Sequence, residues 1–185
     1  MSRTATKPEA PSGARVIRLY GVPPAVLRAL YAGSPDWAPA ESGIEPCAWP
    51  EEDARVLRYR VAALDEDASS APYLLHLVVD DNGHLLGRIG CHSGPDSDGE
   101  VEIGYFVRTG ERGRGVAGQT VDRFLAWLRE QRVKSVRAAV RPDNEASLRL
   151  LHRRGFREAG TQVDDEDGLE LILRLPVEAD ELSPT

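Results

Sequence analysis

The nine residues Gly110-Glu-Arg-Gly-Arg-Gly-Val-Ala-Gly118 constrain this chain more than any others. Four of them are glycine, and they lie between two segments of opposite periodicity. Before them, Val101 to Val107 reads as a strand. After them, Ala117, Val121, Phe124, Leu125 and Leu128 recur at helical spacing. A glycine-rich loop from a strand into a helix turns successive main-chain N–H groups toward one point. The helix start adds a positive dipole end there, and phosphate is the natural occupant.

The flanking residues decide which fold can carry such a loop. Arg15 to Tyr20 predicts a strand, and Pro23 and Pro24 open a short helix through Tyr31. Gly33 to Pro50 reads as a long loop holding Trp37 and Trp49, followed from Glu51 by a helix with Ala54, Leu57, Val61 and Leu64 on one face. Tyr73–Val79 and Leu85–Cys91 are strands joined by the turn Asp81-Asn82-Gly83. Beyond the loop and its helix come a strand at Ser135–Val140, a helix capped by Asp143-Asn144 and ended by Gly155, and a closing hairpin of Phe156–Val163 and Leu169–Leu175. The order β-α-α-β-β-β-α-β-α-β-β predicts one α+β domain. Its sheet is mixed but mostly antiparallel, with seven strands and about four helices.

Three phosphate-binding patterns compete for the loop. A nucleotide P-loop needs Gly-Lys-Ser/Thr at its end, which is missing. The dinucleotide pattern G-x-G-x-x-G is met by Gly113, Gly115 and Gly118. However, the strands before it are hairpin-connected, and the next strand ends Val140-Arg141-Pro142 without the acidic residue that pattern needs. The third pattern, Arg/Gln-x-x-Gly-x-Gly/Ala, is matched by Arg112-Gly113-Arg114-Gly115-Val116-Ala117. A second motif follows about thirty residues on, Asn144-x-x-Ser147-x-x-Leu150-Leu151-x-x-x-Gly155-Phe156, and Glu102-Ile-Gly-Tyr-Phe-Val107 precedes both. With these three motifs in order, the chain resembles the GNAT superfamily of acyl-CoA-dependent N-acetyltransferases, in particular the branch that includes ribosomal-protein N-terminal acetyltransferases.

That resemblance implies a GNAT-like sheet splayed between its fourth and fifth strands, with acetyl-CoA as the acyl donor and no metal. It implies that the backbone of Arg112, Gly113, Arg114, Gly115, Val116 and Ala117 cradles the pyrophosphate, with Arg112 and Arg114 adding charge. Phe106, Val107 and Arg108 would pair with the pantetheine arm, and Asn144 would touch the pantetheine or adenosine side. The usual family route is direct attack by an amine in a ternary complex. Dimers are frequent in the family, and a homodimer stays open.

Transfer to an amine needs a base for the ammonium proton and is helped by an acid at the leaving thiolate. Glu102 is the first candidate base, beside the expected thioester site. Glu100 shares its strand parity, and His92 lies one strand away. The tyrosine that many family members carry after the second motif's leucine is replaced by Leu151. Ser147 is therefore the candidate acid, with Tyr105 as another. Two readings stay open: an amine N-acetyltransferase, and a non-catalytic acyl-CoA-binding sensor or assembly module on the same fold.

Charge narrows the partners. The 185 residues carry 23 Lys/Arg and 30 Asp/Glu, a net −7 that argues against a nucleic-acid partner. Between Tyr105 and Arg157, however, 13 basic residues face 5 acidic ones, over the expected cofactor surface. The acceptor is expected among the two N-terminal helices, the Gly33–Pro50 loop and the closing hairpin. Glu41, Glu45, Glu51, Glu52, Asp53 and Asp164 to Asp167 would favour a cationic small-molecule or peptide amine there. No run of about 18 apolar residues suggests a membrane partner. The N-terminal residues lack a secretory apolar core, and Cys47 and Cys91 stand alone, so a cytoplasmic protein is expected. Residues 1–13 are expected to be a disordered tail, 14–176 the domain, and 177–185 an acidic tail.

Overall fold

The computed structural model describes residues 16–177, so both expected tails lie outside the described residues except Val177. Val177 belongs to the core instead: it is fully buried, and its N–H donates to the Lys134 carbonyl. The elements are β1 (Ile17–Gly21), α1 (Pro24–Tyr31), α2 (Ala54–Glu66), α3 (Ala71–Leu74), β2 (His76–Asp80) and β3 (Leu85–Cys91). They continue with β4 (Glu100–Val107), α4 (Val116–Glu130), β5 (Ser135–Val140), α5 (Glu145–His152), β6 (Arg157–Asp164) and β7 (Gly168–Pro176).

The seven strands form one sheet in the order β1-β2-β3-β4-β5-β7-β6. Every neighbouring pair is antiparallel except β4 with β5, which is parallel. The helix count is five rather than about four, because Tyr73 and Leu74 are helical and β2 begins only at His76. Pro72 explains the difference: its fixed φ suits the first helical turn, and it follows a 3₁₀ turn at Ala68–Ser70 whose Asp67 side chain accepts from the Ser69 N–H. Among the described residues no helix is long and apolar enough to cross a membrane.

Two apolar clusters lie on the two faces of the sheet. Val26, Leu27 and Leu30 of α1 and Val56, Leu57, Val61 and Leu64 of α2 pack on Leu77 and Val79 of β2, with Trp37 and Ile44 from the long loop. Val121, Phe124, Leu125 and Leu128 of α4 pack with Leu151 and Phe156 against β3, β4, β5 and β7. Val78, alternating with Leu77 and Val79, lies in a third cluster with Val116 of α4, so β2 is covered on both faces and buried throughout.

Of the two buried polar residues of β2, Asp80 accepts from the Asn82 and His84 N–H groups, whereas His76 has no such support. Its ring packs on Phe124 and Trp127 at centroid separations of 5.1 and 4.7 Å, and its Nδ1 has no hydrogen-bond partner. Burial pushes the imidazole down to about 4, so the fold holds it neutral. The unfolded chain binds a proton near pH 6.5 that the folded chain refuses until about pH 4. Stability therefore falls as pH drops through that window, with a limiting slope of about 1.4 kcal/mol per pH unit from this group. His76→Phe should flatten the dependence of the urea midpoint on pH between 6.5 and 4; an unchanged slope would assign the acid sensitivity elsewhere.

Candidate active site

β4 and β5 are hydrogen-bonded partners at three positions only: Glu100 with Ser135, Val101 with Val136 and Glu102 with Arg137. Beyond Glu102 the two strands diverge, and the edge of β4 that faces β5 has no partner strand. Buried main-chain polar groups need partners, so an unpaired central edge is a place for a ligand to pair. The gap opens into a cleft of about 870 Å³, walled by α2, the β3–β4 surface, the end of β5, the start of α5 and the β6–β7 hairpin.

The glycine loop closes one end of this edge. A 3₁₀ turn at Thr109–Glu111 follows β4, and Gly113 and Gly115 then take the left-handed conformation with φ of +74° and +77°. Gly115 caps α4 with no side chain satisfying the helix start. No main-chain carbonyl accepts from the N–H groups of Gly113, Arg114 or Gly115 among the described residues. Those of Val116, Ala117 and Gly118 head a helix, where intrahelical acceptors do not exist. A Cβ at Gly113 or Gly115 would meet nothing within 4 Å, so the cradle is open. These features fit an anionic group of pyrophosphate type.

The arginines divide differently from their sequence expectation. Arg112 donates from Nε to the Val107 carbonyl at 3.0 Å and lies over the Phe106 ring, tying the loop to the end of β4. Arg108 turns back to β3 with both main chain and side chain, its N–H donating to the Leu86 carbonyl and its Nη1 to the Leu85 carbonyl. Arg114 is exposed beside Glu111. Arg123, Arg129, Arg132 and Lys134 are all solvent-exposed.

Glu102 sits at the fork of the splay. Its Oε2 meets the Arg137 guanidinium at 2.5 Å, and its Oε1 lies 3.5 Å from His92 Nδ1. Burial raises its carboxyl above the usual glutamate range, with Arg137 pulling the other way. His92 faces the same cleft with a half-exposed ring. Its place in the recess, with the guanidiniums of Arg60, Arg88 and Arg137 around it, pushes it down to about 4, so it is neutral at physiological pH. Glu100 is committed elsewhere: Ser135 donates to it at 2.7 Å and Arg174 pairs with it at 2.6 Å, outside the cleft.

On the opposite wall, Asn144 caps α5 by accepting from the Ser147 N–H at 3.2 Å, and both residues line the cleft. The Tyr105 hydroxyl lies buried beside Ser147 without a partner in hydrogen-bonding geometry. Burial raises its phenol, with Ser147 opposing, which keeps the proton in place for donation. Leu151 is fully buried in the core and takes no part in the cleft.

A family model described as the acetyltransferase (GNAT) domain matches residues 24–157, most of the described chain and all three motifs. The chain belongs to the GNAT family. An uncharacterized N-acetyltransferase of Bacillus subtilis, YjdG, is 28% identical over 81 residues, covering 43% of this chain and 48% of that relative. The chain spans about half the length of the curated relatives it matches. Among solved structures, a spermidine N-acetyltransferase SpeG chimera from Vibrio cholerae and hSSAT superposes with a TM-score of 0.63 at 15% identity, covering 87% of this chain and 95% of that one. The ribosomal-protein-S5-alanine acetyltransferase from Vibrio fischeri superposes at 0.59 with 16% identity, covering 91% and 96%. At these identities the likeness is one of fold.

Within this GNAT domain the cleft draws on fewer elements than the sequence predicts for an acceptor wall. α2 and the β6–β7 hairpin line the cleft, whereas α1 and the Gly33–Pro50 loop do not. Trp37 is an anchor, buried and donating to the Cys47 carbonyl, and Trp49 donates to the Asp53 carbonyl. Of the acidic residues, Asp53 and Asp164 to Asp167 line the cleft, whereas Glu41, Glu45 and Glu51 do not. Glu45 faces His84, Asp53 is held by Arg88, and Glu166 and Asp167 are taken up by Arg55. Glu41 and Glu51 are exposed away from the cleft. Asp164 and Asp165 remain on its rim without an ion-pair partner among the described residues.

Arg60, which sequence reasoning passed over, is nearly fully buried on α2 and lines the cleft. Its signal was available: it stands in the apolar stripe Leu57-Arg60-Val61-Leu64 at core spacing, where a cation is out of place. Among the described residues, no group of three or more His, Cys, Asp or Glu is arranged to hold a metal ion.

Proposed function

We propose that the chain transfers an acetyl group from acetyl-CoA to a primary amine by direct attack in a ternary complex. The observation that carries this reading is the continuity of one path: the open N–H cradle at Gly113 to Ala117 leads along the unpaired β4 edge to Glu102 at the fork. Bound acetyl-CoA supplies the thioester carbonyl that the amine attacks and the thiolate that leaves. The cradle holds its pyrophosphate, and those backbone groups of the Phe106–Arg108 stretch that β3 does not take pair with its arm as a strand would. Asn144 positions that arm from the opposite wall.

Glu102 takes the proton from the incoming ammonium, directly or through one water, and its raised affinity for a proton suits that task. Neutral His92 orients Glu102 and its acceptor. Ser147, with the Tyr105 hydroxyl beside it, relays to the leaving thiolate the proton that the attacking nitrogen sheds as the C–S bond breaks and the amide forms, and so ends as a hydroxyl again. Asp164 and Asp165 on the rim favour an acceptor that arrives as a cation. The superposed proteins act on spermidine and on a ribosomal-protein alanine, and a polyamine or a peptide N-terminus is the corresponding class here.

A second reading, an acyl-CoA-binding module without transfer, draws on Leu151, which puts an apolar core residue where many relatives have a tyrosine acid. Isothermal titration with acetyl-CoA, followed by thiol release against spermidine, alanyl peptides and simple amines, separates the two. Binding with amine-dependent release is expected. Binding with no release on any amine would favour the module, and no binding would overturn both.

A further inference from the structure

We propose that the cleft contains a carboxylate-recognition site formed by Arg60, Arg88 and His92 over Gly104, so that one of the two substrates carries a carboxylate close to its reacting group. The proposal rests on the transferase reading and narrows its substrate class.

Four observations carry it. First, Arg60 is 4% exposed, its Nε is sealed from solvent without a partner, and no ion pair or hydrogen bond reaches its guanidinium among the described residues. A buried charge with no carboxylate in contact is among the more costly features a fold can keep, which points to an anion that completes it. Second, the carboxylates whose charge reaches it are already used: Asp53 receives Arg88 through two bonds, at 2.8 and 2.5 Å, and Glu102 holds Arg137. Third, three nitrogen groups from separate positions converge on one point. Measured from where a Cβ on Gly104 would lie, Arg88 Nη1 and His92 Nε2 are at 3.5 Å and Arg60 Nη2 is at 3.8 Å. Gly104 does not sit in the left-handed region, so the backbone does not demand glycine there; its lack of a side chain leaves the point free. Fourth, the point lies inside the cleft.

The geometry also says what kind of anion. Arg88 keeps Nη1 for this point while its Nε and Nη2 hold Asp53, and Arg60 adds Nη2, so two guanidinium N–H groups from different elements face a compact anion of carboxylate type. The pyrophosphate cradle begins beyond Val107, about 10 Å further along the strand and then past a turn, so the donor's phosphates are anchored elsewhere. Glu102 and Gly104 share one face of β4, about 7 Å apart. A carboxylate over Gly104 therefore places an amine a few bonds away beside the base. An amino-acid-like acceptor meets this directly. An acyl donor ending in a carboxylate would bring the same group from the thioester side.

Matched pairs separate the two sources. In the acceptor arm, acetyl-CoA is combined with β-alanine against 3-aminopropanamide, and with alanine against alaninamide. In the donor arm, succinyl-CoA is compared with acetyl-CoA on an uncharged-chain amine. We expect kcat/KM to favour the carboxylated member at least tenfold in one arm, and that ratio to collapse toward one in both Arg60→Met and Gly104→Ala. The added methyl of Gly104→Ala stands at ordinary contact distance, so it fills the point without disturbing the strand. Arg60→Met should also raise the melting temperature of the ligand-free protein. Ratios near one in both arms of the wild type would overturn the proposal while leaving amine-dependent transfer intact. A lower melting temperature with unchanged ratios would overturn it by making Arg60 a structural residue. If no amine supports release, the transferase reading fails on its own. The site is then judged by titration of succinyl-CoA against acetyl-CoA, where equal affinities in the wild type would overturn it and an Arg60-dependent preference would sustain it.

Discussion

Replacing Glu102 with glutamine should lower kcat by about 10²-fold or more while leaving acetyl-CoA affinity unchanged, the loss expected when a positioned base is removed. The substitution keeps the shape of the side chain and takes away only its capacity to hold a proton. The wild-type profile of kcat/KM should rise with pH through a limb lying above the usual glutamate range, because burial raises this carboxyl despite Arg137 at 2.5 Å. In the variant that limb should vanish, leaving only the titration of the amine itself. Steady-state rates across pH, with titration calorimetry for the cofactor, test both halves. A variant that keeps its rate and its limb would make Glu102 a strut for Arg137.

The largest effect on stability is expected at Asp53. It is buried beneath the cleft, and its carboxylate is the contact partner of Arg88, with Arg60 close by. Asp53→Asn leaves two guanidinium groups in the interior with no carboxylate in contact, which should cost about 3–5 kcal/mol in urea unfolding. Adding Arg88→Met to that variant should recover much of the loss, because the hydrophobic replacement removes the stranded charge. A cost below about 1 kcal/mol would mean that water reaches the pair and screens it.

What could be read from the residues follows the physics each one obeys. The strands, the glycine loop and the capped α5 were legible because alternation, positive-φ glycines and an Asx cap are local rules. The splay was legible through family resemblance alone; nothing local marks Glu102 as the last paired residue of β4. β2 began three residues late because proline geometry outweighed the apolar run through Tyr73 and Leu74. The acidic wall was legible in part: Asp53 and Asp164 to Asp167 do line the cleft, but a count of carboxylates cannot say which already hold an arginine, and Arg55 and Arg88 come from other elements. Arg60 was legible in the same way, since its place in the stripe with Leu57, Val61 and Leu64 puts it on the inward face of α2; what the residues alone do not show is that no carboxylate among the described residues meets it there.

The short β4–β5 ladder has a consequence for how the molecule exchanges its amide protons. In an ordinary sheet, protection is deepest in the middle and fades toward the outer strands. Here two central strands separate after three pairs, and the backbone beyond Glu102 on β4 and beyond Arg137 on β5 meets an open gap on the facing side. The amides that face this gap should exchange faster than those of β2, which has a partner on each side, although they lie nearer the middle of the sheet. Deuterium uptake in the free protein would thus trace the outline of the missing strand.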